Sequence, residues 1–122
     1  MEDFLAVTKF EREKIWIAEA EGKPIGAIAL IIPDSDKPWE GQLRWFIVEK
    51  EYRKYGIGRA LMDKLLEFAE KCEYKHIFLW TASNLGRALS FYNHQGFYET
   101  DRFLETEWCD EPIYEIKLEK DI

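Results

Sequence analysis

One stretch, from residue 43 to residue 72, constrains the fold of this chain more than any other. An apolar run at residues 43–48 leads into a short basic segment with Gly56 and Gly58, and a long amphipathic segment follows. This order predicts a strand, a glycine loop and a helix. The first backbone N–H groups of a helix have no partner within it, and the helix dipole adds partial positive charge there. The stretch therefore predicts a binding site for a phosphate or another anion.

The spacing of the glycines narrows the kind of phosphate. Gly56 and Gly58 let the main chain approach a ligand without an intervening Cβ. The P-loop pattern requires Lys-Ser or Lys-Thr at the helix start, and neither follows Gly58. The dinucleotide fingerprint requires a third glycine, and Leu61 stands in its place. Both nucleotide interpretations therefore lose support. Three cations accompany the glycines: Arg53, Lys54 and Arg59.

Apolar periodicity predicts the remaining elements. Strands are predicted at residues 15–20, 25–32, 43–48, 76–81, 97–103 and 113–118. One helix is predicted at residues 57–72, and a second is predicted to start at a Ser83 or Asn84 cap and to end at Gly96. Residues 1–14 are compatible with a short helix or a first strand. The order predicts a single α/β (α+β) domain over residues 1–122: a mixed, mostly antiparallel sheet with a central right-handed β-α-β crossover and helices on both faces.

Composition excludes several classes of protein. The 122 residues predict one domain, and 24 acidic against 17 basic residues, with a net charge of −7, argue against nucleic-acid binding. No apolar run is long enough for a membrane span, and the N-terminus lacks the order of a secretory signal. Cys72 and Cys109 do not suggest a disulfide framework or a metal site. We therefore expect a cytoplasmic protein without a metal or a membrane partner.

Two motifs together resemble the GNAT superfamily of N-acetyltransferases. The first is R-x-x-G-x-G after a strand that ends in valine, and the second is A-x-x-x-Y-x-x-x-G-F. They follow one another in the family's order, and the likeness covers about residues 15–119. Residues 43–44, residues 79–81 and the tail are also similar to GNAT domains fused to MarR-type regulators. The matching positions are Val48, Arg53, Gly56 and Gly58, then Ala88, Tyr92, Gly96 and Phe97.

The resemblance implies a GNAT-like acyl-CoA N-acyltransferase fold and transfer of an acetyl group from acetyl-CoA to a primary amine of a small molecule or peptide. Main-chain N–H groups of residues 53–59 would hold the pyrophosphate. A bulge at residues 46–48, whose side chains are expected in the core, would expose main-chain groups for the thioester. An O-acyl or longer-chain transferase, or a CoA-binding domain without turnover, remains an alternative. The implied cofactor-binding residues are Phe46, Ile47, Val48, Arg53, Lys54, Tyr55, Gly56, Ile57, Gly58, Arg59, Asn84 and Tyr92.

The resemblance also implies a catalytic residue. Tyr92 is the candidate general acid for the departing thiolate, and its alternative is a tyrosine that packs on the sheet. The general base is open: Glu40 near the start of the central strand is one candidate, and a water chain or an amine that arrives neutral is equally compatible. The family often carries asparagine three residues before the alanine, where this chain has Leu85; Asn84 lies one residue earlier.

Two expectations concern the amine acceptor. The family usually begins with a strand and two helices that cover the acceptor site, whereas only residues 1–14 precede the first predicted hairpin here. We therefore expect a short lid, or one borrowed from another subunit in a homodimer. Trp39 and Trp108 lie in predicted loops and are candidates for an acceptor pocket. The other prominent aromatic residues are expected mostly in the core: Trp45, Trp80, Tyr98 and Phe103.

Overall fold

The amphipathic segment forms helix α1, Ile57–Lys71, in the computed structural model of this chain. The structure describes residues 2–10, 12–105 and 113–122. The predicted amphipathic character of α1 is confirmed, although Phe68 and Cys72, expected on its apolar face, stay partly exposed. Glu67 and Lys71 form an exposed ion pair with 3.3 Å between Oε1 and Nζ, as their spacing predicts. The buried residues of α1 are Ile57, Leu61, Met62, Leu65 and Ala69.

The chain forms two compact units, the first comprising Met1–Lys75 with Ile122 and the second His76–Asp121. The first unit contains four strands that pair antiparallel in chain order. A short 3₁₀ helix, Lys50–Tyr55, joins the fourth strand to α1. The open assignment of the N-terminal segment is resolved in favour of a first strand over Glu2–Phe10. The strands are β1 (Glu2–Phe10), β2 (Glu13–Ala20), β3 (Lys23–Ile31) and β4 (Glu40–Val48).

Helix α1 packs closely against one face of this sheet. Trp16 on β2 is buried and meets Phe68 of α1 edge-on, with 5.3 Å between the ring centroids. Gly26 on β3 has no side chain because α1 leaves no room for one. A Cβ there would lie 3.1 Å from the Ile47 carbonyl oxygen and 3.3 Å from Leu61 Cδ1. The core of the first unit therefore brings the start of α1 against the end of the sheet.

The second unit contains β5 (His76–Ala82), helix α2 (Gly86–His94), β6 (Tyr98–Glu105) and β7 (Ile113–Asp121). Strand β7 lies between β5 and β6 and pairs antiparallel with both. The predicted loop over residues 104–112 starts later than expected, because Leu104 and Glu105 extend β6. Residues 106–112 lie outside the described part. The buried residues of this unit include Ile77, Leu79, Ile116 and Leu118.

The predicted cap of α2 is wrong. Leu85 occupies the N-cap position, and no side chain caps the helix. Ser83 Oγ instead accepts a hydrogen bond from the Tyr114 backbone N–H at 2.9 Å, which joins the end of β5 to β7. Leu85 was expected on the same face as Tyr92 but is 50% exposed. A tertiary hydrogen bond has therefore displaced the local cap.

The expectation that most of the prominent aromatic residues are buried is also wrong. Trp45, Tyr98 and Phe103 are each about half exposed, and Trp80 is 39% exposed. Trp80 on β5 and Phe103 on β6 stack on each other, with 5.1 Å between centroids, so the two strands that flank β7 share one exposed aromatic pair. Sequence hydrophobicity does not reveal which side of a strand faces solvent when both sides carry apolar residues.

Candidate functional site

Gly56 shapes the loop that precedes α1. It has φ 74° and serves both as the C-cap of the 3₁₀ helix and as the N-cap of α1. A Cβ at this position would meet nothing within 4 Å, so it is the left-handed backbone, not lack of space, that favours glycine. No side chain caps α1, and its first turn carries no acidic residue. The first N–H groups of α1 therefore have no side-chain acceptor, as a site for an anion requires.

Arg53 stabilises this loop directly. Its Nε donates a hydrogen bond to the Val48 carbonyl oxygen at 3.0 Å, which ties the 3₁₀ helix back to the end of β4. The neighbouring Lys54 Nζ lies 5.5 Å from the centroid of the Tyr55 ring. Arg53, Lys54, Tyr55 and Arg59 are all exposed. The loop thus presents three cations beside the open helix start, which fits a diphosphate.

Gly58 and Ile57 hold the helix start against β4. A Cβ at Gly58 would lie 3.4 Å from Phe46 Cζ and 3.7 Å from Val48 Cγ2. Gly58 therefore allows close packing between helix and strand as well as access to the main chain. Ile57 is 1% exposed, so only its main chain is available to a cofactor.

Strand β4 contains the bulge that the resemblance implies. Ala27 pairs with Ile47 and Ala29 pairs with Arg44, so β4 holds one more residue than β3 across this interval. Trp45 and Phe46 lie between these two pairs, and Trp45 has φ 51°. A positive φ at the first residue, where glycine is usual, is characteristic of a G1 bulge. The expected bulge is confirmed.

The bulge changes which residues of β4 face α1. Leu43 is buried before it, and Phe46 and Val48 face Gly58 of α1 after it. Ile47 is consequently turned to the other face of the sheet and is 61% exposed. The expectation that the side chains of residues 46–48 all lie in the core is therefore wrong for Ile47. An inserted residue reverses the side-chain alternation beyond it.

Glu40 lies at the other end of β4 from the predicted cofactor contacts. It is the first residue of the strand and is half-buried. Trp45 follows five residues later, which corresponds to roughly 16 Å along an extended strand. The structure therefore does not bring Glu40 to the bulge, and a role as base requires a water chain or an acceptor that extends along β4.

Tyr92 is the candidate catalytic residue of the second unit, and its pKa is strongly shifted. It is 8% exposed, and burial raises its pKa from 10.0 to about 12. Its ring meets Phe97 edge-on with 5.7 Å between centroids. The phenol therefore stays protonated at neutral pH, which is the state that a proton donor needs.

The end of α2 explains the A-x-x-x-Y-x-x-x-G-F motif structurally. Gly96 has φ 93°, the Phe97 N–H donates to the Tyr92 carbonyl oxygen, and the Gly96 N–H donates to the Asn93 carbonyl oxygen. These two bonds, together with the Tyr92–Phe97 contact, form a Schellman motif. The prediction that Gly96 ends the helix is confirmed. The motif therefore holds the backbone of Tyr92 in a defined position.

The remaining candidates are more peripheral. Asn84 is exposed just before α2, and Trp39 is 39% exposed with Lys75 Nζ 5.8 Å from its ring centroid. His76 faces Glu119, and His94 Nδ1 lies 2.8 Å from the Ser90 carbonyl oxygen. Trp108 and Cys109 lie outside the described residues.

The described residues contain neither a metal-binding cluster nor a membrane-spanning helix. In residues 2–10, 12–105 and 113–122, no cluster of three or more His, Cys, Asp or Glu side chains is arranged to hold a metal ion. Over the same ranges, no helix is both long and apolar enough to cross a membrane.

Comparison with known families identifies the domain. The sequence model of the acetyltransferase (GNAT) family matches residues 1–97. The chain belongs to the GNAT family. Rat N-acetyltransferase family 8 member 3 is 36% identical over 94 residues, which cover 75% of this chain and 41% of that protein. N-acetylaspartate synthetase of Xenopus tropicalis is 38% identical over 82 residues, which cover 67% of this chain and 30% of that protein. The chain thus spans less than half the length of these relatives.

Solved structures show the same fold. The GNAT-family acetyltransferase of Streptococcus pneumoniae aligns with TM-score 0.83 at 18% identity, over 93% of this chain and 70% of that one. A Bacillus anthracis acetyltransferase in complex with acetyl coenzyme A aligns with TM-score 0.77 at 22% identity, over 90% and 62%. The predicted GNAT-like acyl-CoA N-acyltransferase fold is therefore confirmed. The likeness to MarR-fused domains stays a prediction.

Sequence reasoning missed two residues of the first unit. Gly26 lies in an apolar strand, and its role became apparent only from the packing of Leu61 and the Ile47 carbonyl against it. Arg44 was noted only as part of the family likeness. It lies directly before the bulge, and its Cζ is 5.1 Å from the centroid of the Trp45 ring. A glycine within a strand is a general signal for a close approach and could have indicated the first of them.

Proposed function

We propose that this chain is an acetyl-CoA-dependent N-acetyltransferase that acts on a primary amine of a small molecule or peptide by direct transfer. The single observation that carries the proposal is the first unit's combination of a bulge at Trp45 with an uncapped, cationic start of α1 in a GNAT fold. The B. anthracis structure of this fold holds acetyl coenzyme A. Main-chain N–H groups of residues 53–59 would hold the pyrophosphate, and those of residues 46–48 would bind the pantetheine and the thioester carbonyl.

The chemistry assigns one role to each group. The amine nitrogen attacks the acetyl carbonyl carbon, a C–N bond forms, and the C–S bond breaks. The CoA sulfur takes a proton from Tyr92, and the nitrogen releases one, with Glu40 or a water chain as the proposed acceptor. An amine that arrives neutral needs no base before it attacks. The Tyr92 phenol, whose pKa burial raises to about 12, carries its proton at neutral pH, as a proton donor must.

Calorimetry and thiol release test this proposal. We expect acetyl-CoA to bind and ATP not to bind, and we expect free CoA thiol to appear with a panel of primary amines. Binding without thiol release would favour a CoA-binding domain without turnover, and release with alcohols alone would favour an O-acyltransferase. Tight ATP binding with no response to CoA would refute the assignment of the loop.

Tyr92→Phe separates proton donation from packing. Removing the hydroxyl while keeping the ring contact with Phe97 should lower kcat by about 10²-fold, within the usual range for a lost general acid, with little change in acetyl-CoA affinity. Turnover at the wild-type rate would show that Tyr92 only packs.

Two further predictions remain proposals. The homodimer is supported only by the half-exposed Ile15 and Ile17 on the first unit's sheet, and light scattering would measure it. The cytoplasmic location is supported only by the scarcity of cysteine, and fractionation of cells would test it.

A further inference from the structure

The bulge places two consecutive side chains of β4 on the same face of the sheet. Leu43 faces α1 before the bulge, and Phe46 faces α1 after it. The two residues between them, Arg44 and Trp45, therefore both face away from α1. Their contact agrees with this arrangement, because the Arg44 Cζ lies 5.1 Å from the centroid of the Trp45 ring. The pair is adjacent to Ile47, which the bulge exposes on the same face.

The backbone conformation and the exposure of Trp45 both destabilise the fold. It adopts φ 51°, which is unusual for a bulky residue, and 56% of it is exposed. A strained backbone of this kind destabilises the fold and is concentrated at binding and catalytic sites. Burial of the indole does not offset this cost, since more than half of the residue remains in solvent. The placement therefore suggests that Trp45 serves a ligand.

Arg44 carries a positive charge that the described residues do not pair. Arg44 is exposed. Among residues 12–104 and 113–122, no carboxylate forms an ion pair with it. This is notable because the chain has a net charge of −7. The guanidinium lies over the indole, a cation–π contact that restrains it while the residue as a whole stays exposed. A planar guanidinium held in this way matches a carboxylate with two parallel hydrogen bonds.

Strand β3 carries only small side chains beside Arg44 and Ile47. Ala29 pairs with Arg44, and Ala27 pairs with Ile47, so small side chains lie across from the stacked pair. Arg44 and Ile47 pair with Ala29 and Ala27, which are two residues apart, so they are separated by roughly 7 Å along the sheet. An arginine side chain can cover part of this span, and a small amine with a carboxylate can cover the rest.

We propose that Arg44, stacked on Trp45, binds a carboxylate of the acceptor, so that the acceptor class is an amine that carries a carboxylate, such as a free amino acid. This inference rests on the proposed function, because it names the acceptor for the thioester proposed to lie at the bulge. Arg44 is an acceptor-binding residue and takes no part in the proton transfers.

Matched acceptors test the proposal. Thiol release is measured with amino acids and with their amides, which keep the amine but lack the negative charge. For the wild-type chain we expect kcat/KM to be about 10- to 100-fold higher for the acid than for the amide, the range for hydrogen bonds to a charged group. Arg44→Gln should raise KM for the acid by a similar factor and leave kinetics with the amide within about threefold. Arg44→Lys should restore part of the preference, because it keeps the charge without the planar fork.

Arg102→Gln is the matched control. Arg102 also lies over an aromatic ring, with Cζ 5.0 Å from the Tyr114 centroid, but it is paired with Glu99 at 2.7 Å. Its loss should change neither acid nor amide kinetics. Equal rates for acids and amides in the wild-type chain, or an equal effect of Arg44→Gln on both, would overturn the proposal.

The outcomes also separate this inference from the proposed function. Thiol release with amines but without a preference for acids would remove only the role of Arg44. Absence of thiol release with every amine would remove both. Each variant is checked for folding by circular dichroism and for acetyl-CoA affinity by calorimetry, which the loss of an acceptor contact should leave unchanged.

Discussion

The start of α1 and the end of α2 both contain a glycine with positive φ, yet their surroundings differ. At the start of α1, Gly56 has φ 74°, nothing lies within 4 Å of its ideal Cβ, and no side chain caps the helix. At the end of α2, Gly96 has φ 93°, and two backbone bonds close the helix as a Schellman motif. The first glycine leaves hydrogen-bonding groups available to a ligand, whereas the second satisfies them within the chain.

We propose that the same residue type serves binding at the first position and stability at the second. Removal of the glycine at the open helix start should affect the ligand more than the fold. Removal of the glycine at the closed helix end should affect the fold more than the ligand. Variants at the two helix ends test this distinction.

Gly56→Val should have the largest effect. A β-branched residue strains the left-handed backbone and shifts the first turn of α1, so acetyl-CoA affinity should fall by about 100-fold or more, as expected when several hydrogen bonds to a charged group are lost. Calorimetry measures this change, and chemical denaturation measures the accompanying loss of stability.

Gly22→Val is the control for that strain. Gly22 lies in the turn between β2 and β3 with φ 77°, and its ideal Cβ also meets nothing within 4 Å. The two variants should lose similar stability, about 1–2 kcal/mol. Equal losses of acetyl-CoA affinity in both would show that Gly56 has no special place in binding.

The burial of Tyr92 near the end of α2 can be tested by the pH dependence of the free energy of unfolding. Because burial raises its pKa from 10.0 to about 12, folding favours the protonated phenol. The resulting stability is complete below pH 10 and is lost as the pH rises through 12, with a total of about 2 kcal/mol from this group. Tyr92→Phe should remove this part of the alkaline decline in the free energy of unfolding.

Tyr74→Phe is a useful comparison. Burial also raises the pKa of Tyr74 to about 12, but its hydroxyl donates a hydrogen bond to the Arg12 carbonyl oxygen. This variant should lose stability at neutral pH as well, because the bond is lost at every pH. An unchanged alkaline decline in Tyr92→Phe would show that Tyr92 is not buried as the structure describes.

Gly96→Ala should have the smallest effect of the three. The positive φ disfavours alanine, and the new Cβ would lie 2.6 Å from Lys120 Nζ, a flexible chain end that can move away. We expect the free energy of unfolding to fall by about 1 kcal/mol, with acetyl-CoA affinity nearly unchanged. Gly86→Ala, at a helix position with open space and no positive φ, should be neutral or slightly stabilising. A large loss of affinity in Gly96→Ala would contradict the distinction between the two helix ends.

Local chemistry made much of this molecule predictable from its sequence. The start of α1, its apolar face, the Glu67–Lys71 pair and the end of α2 at Gly96 all depend on residues within a few positions of one another. These features follow from helix periodicity and from the freedom of glycine, so the loop and the Y-x-x-x-G-F segment could be found before the structure was known.

Only the tertiary structure decided the rest. It showed that residues 2–10 form a strand, that Ser83 bonds to β7 instead of capping α2, and that β4 carries its extra residue at Trp45. Each of these depends on pairing with another strand, and the residues of one strand alone do not specify that pairing or its irregularities. The glycine loop was therefore apparent in the sequence alone, whereas the face on which Arg44 and Trp45 meet emerged only when β4 was paired with β3.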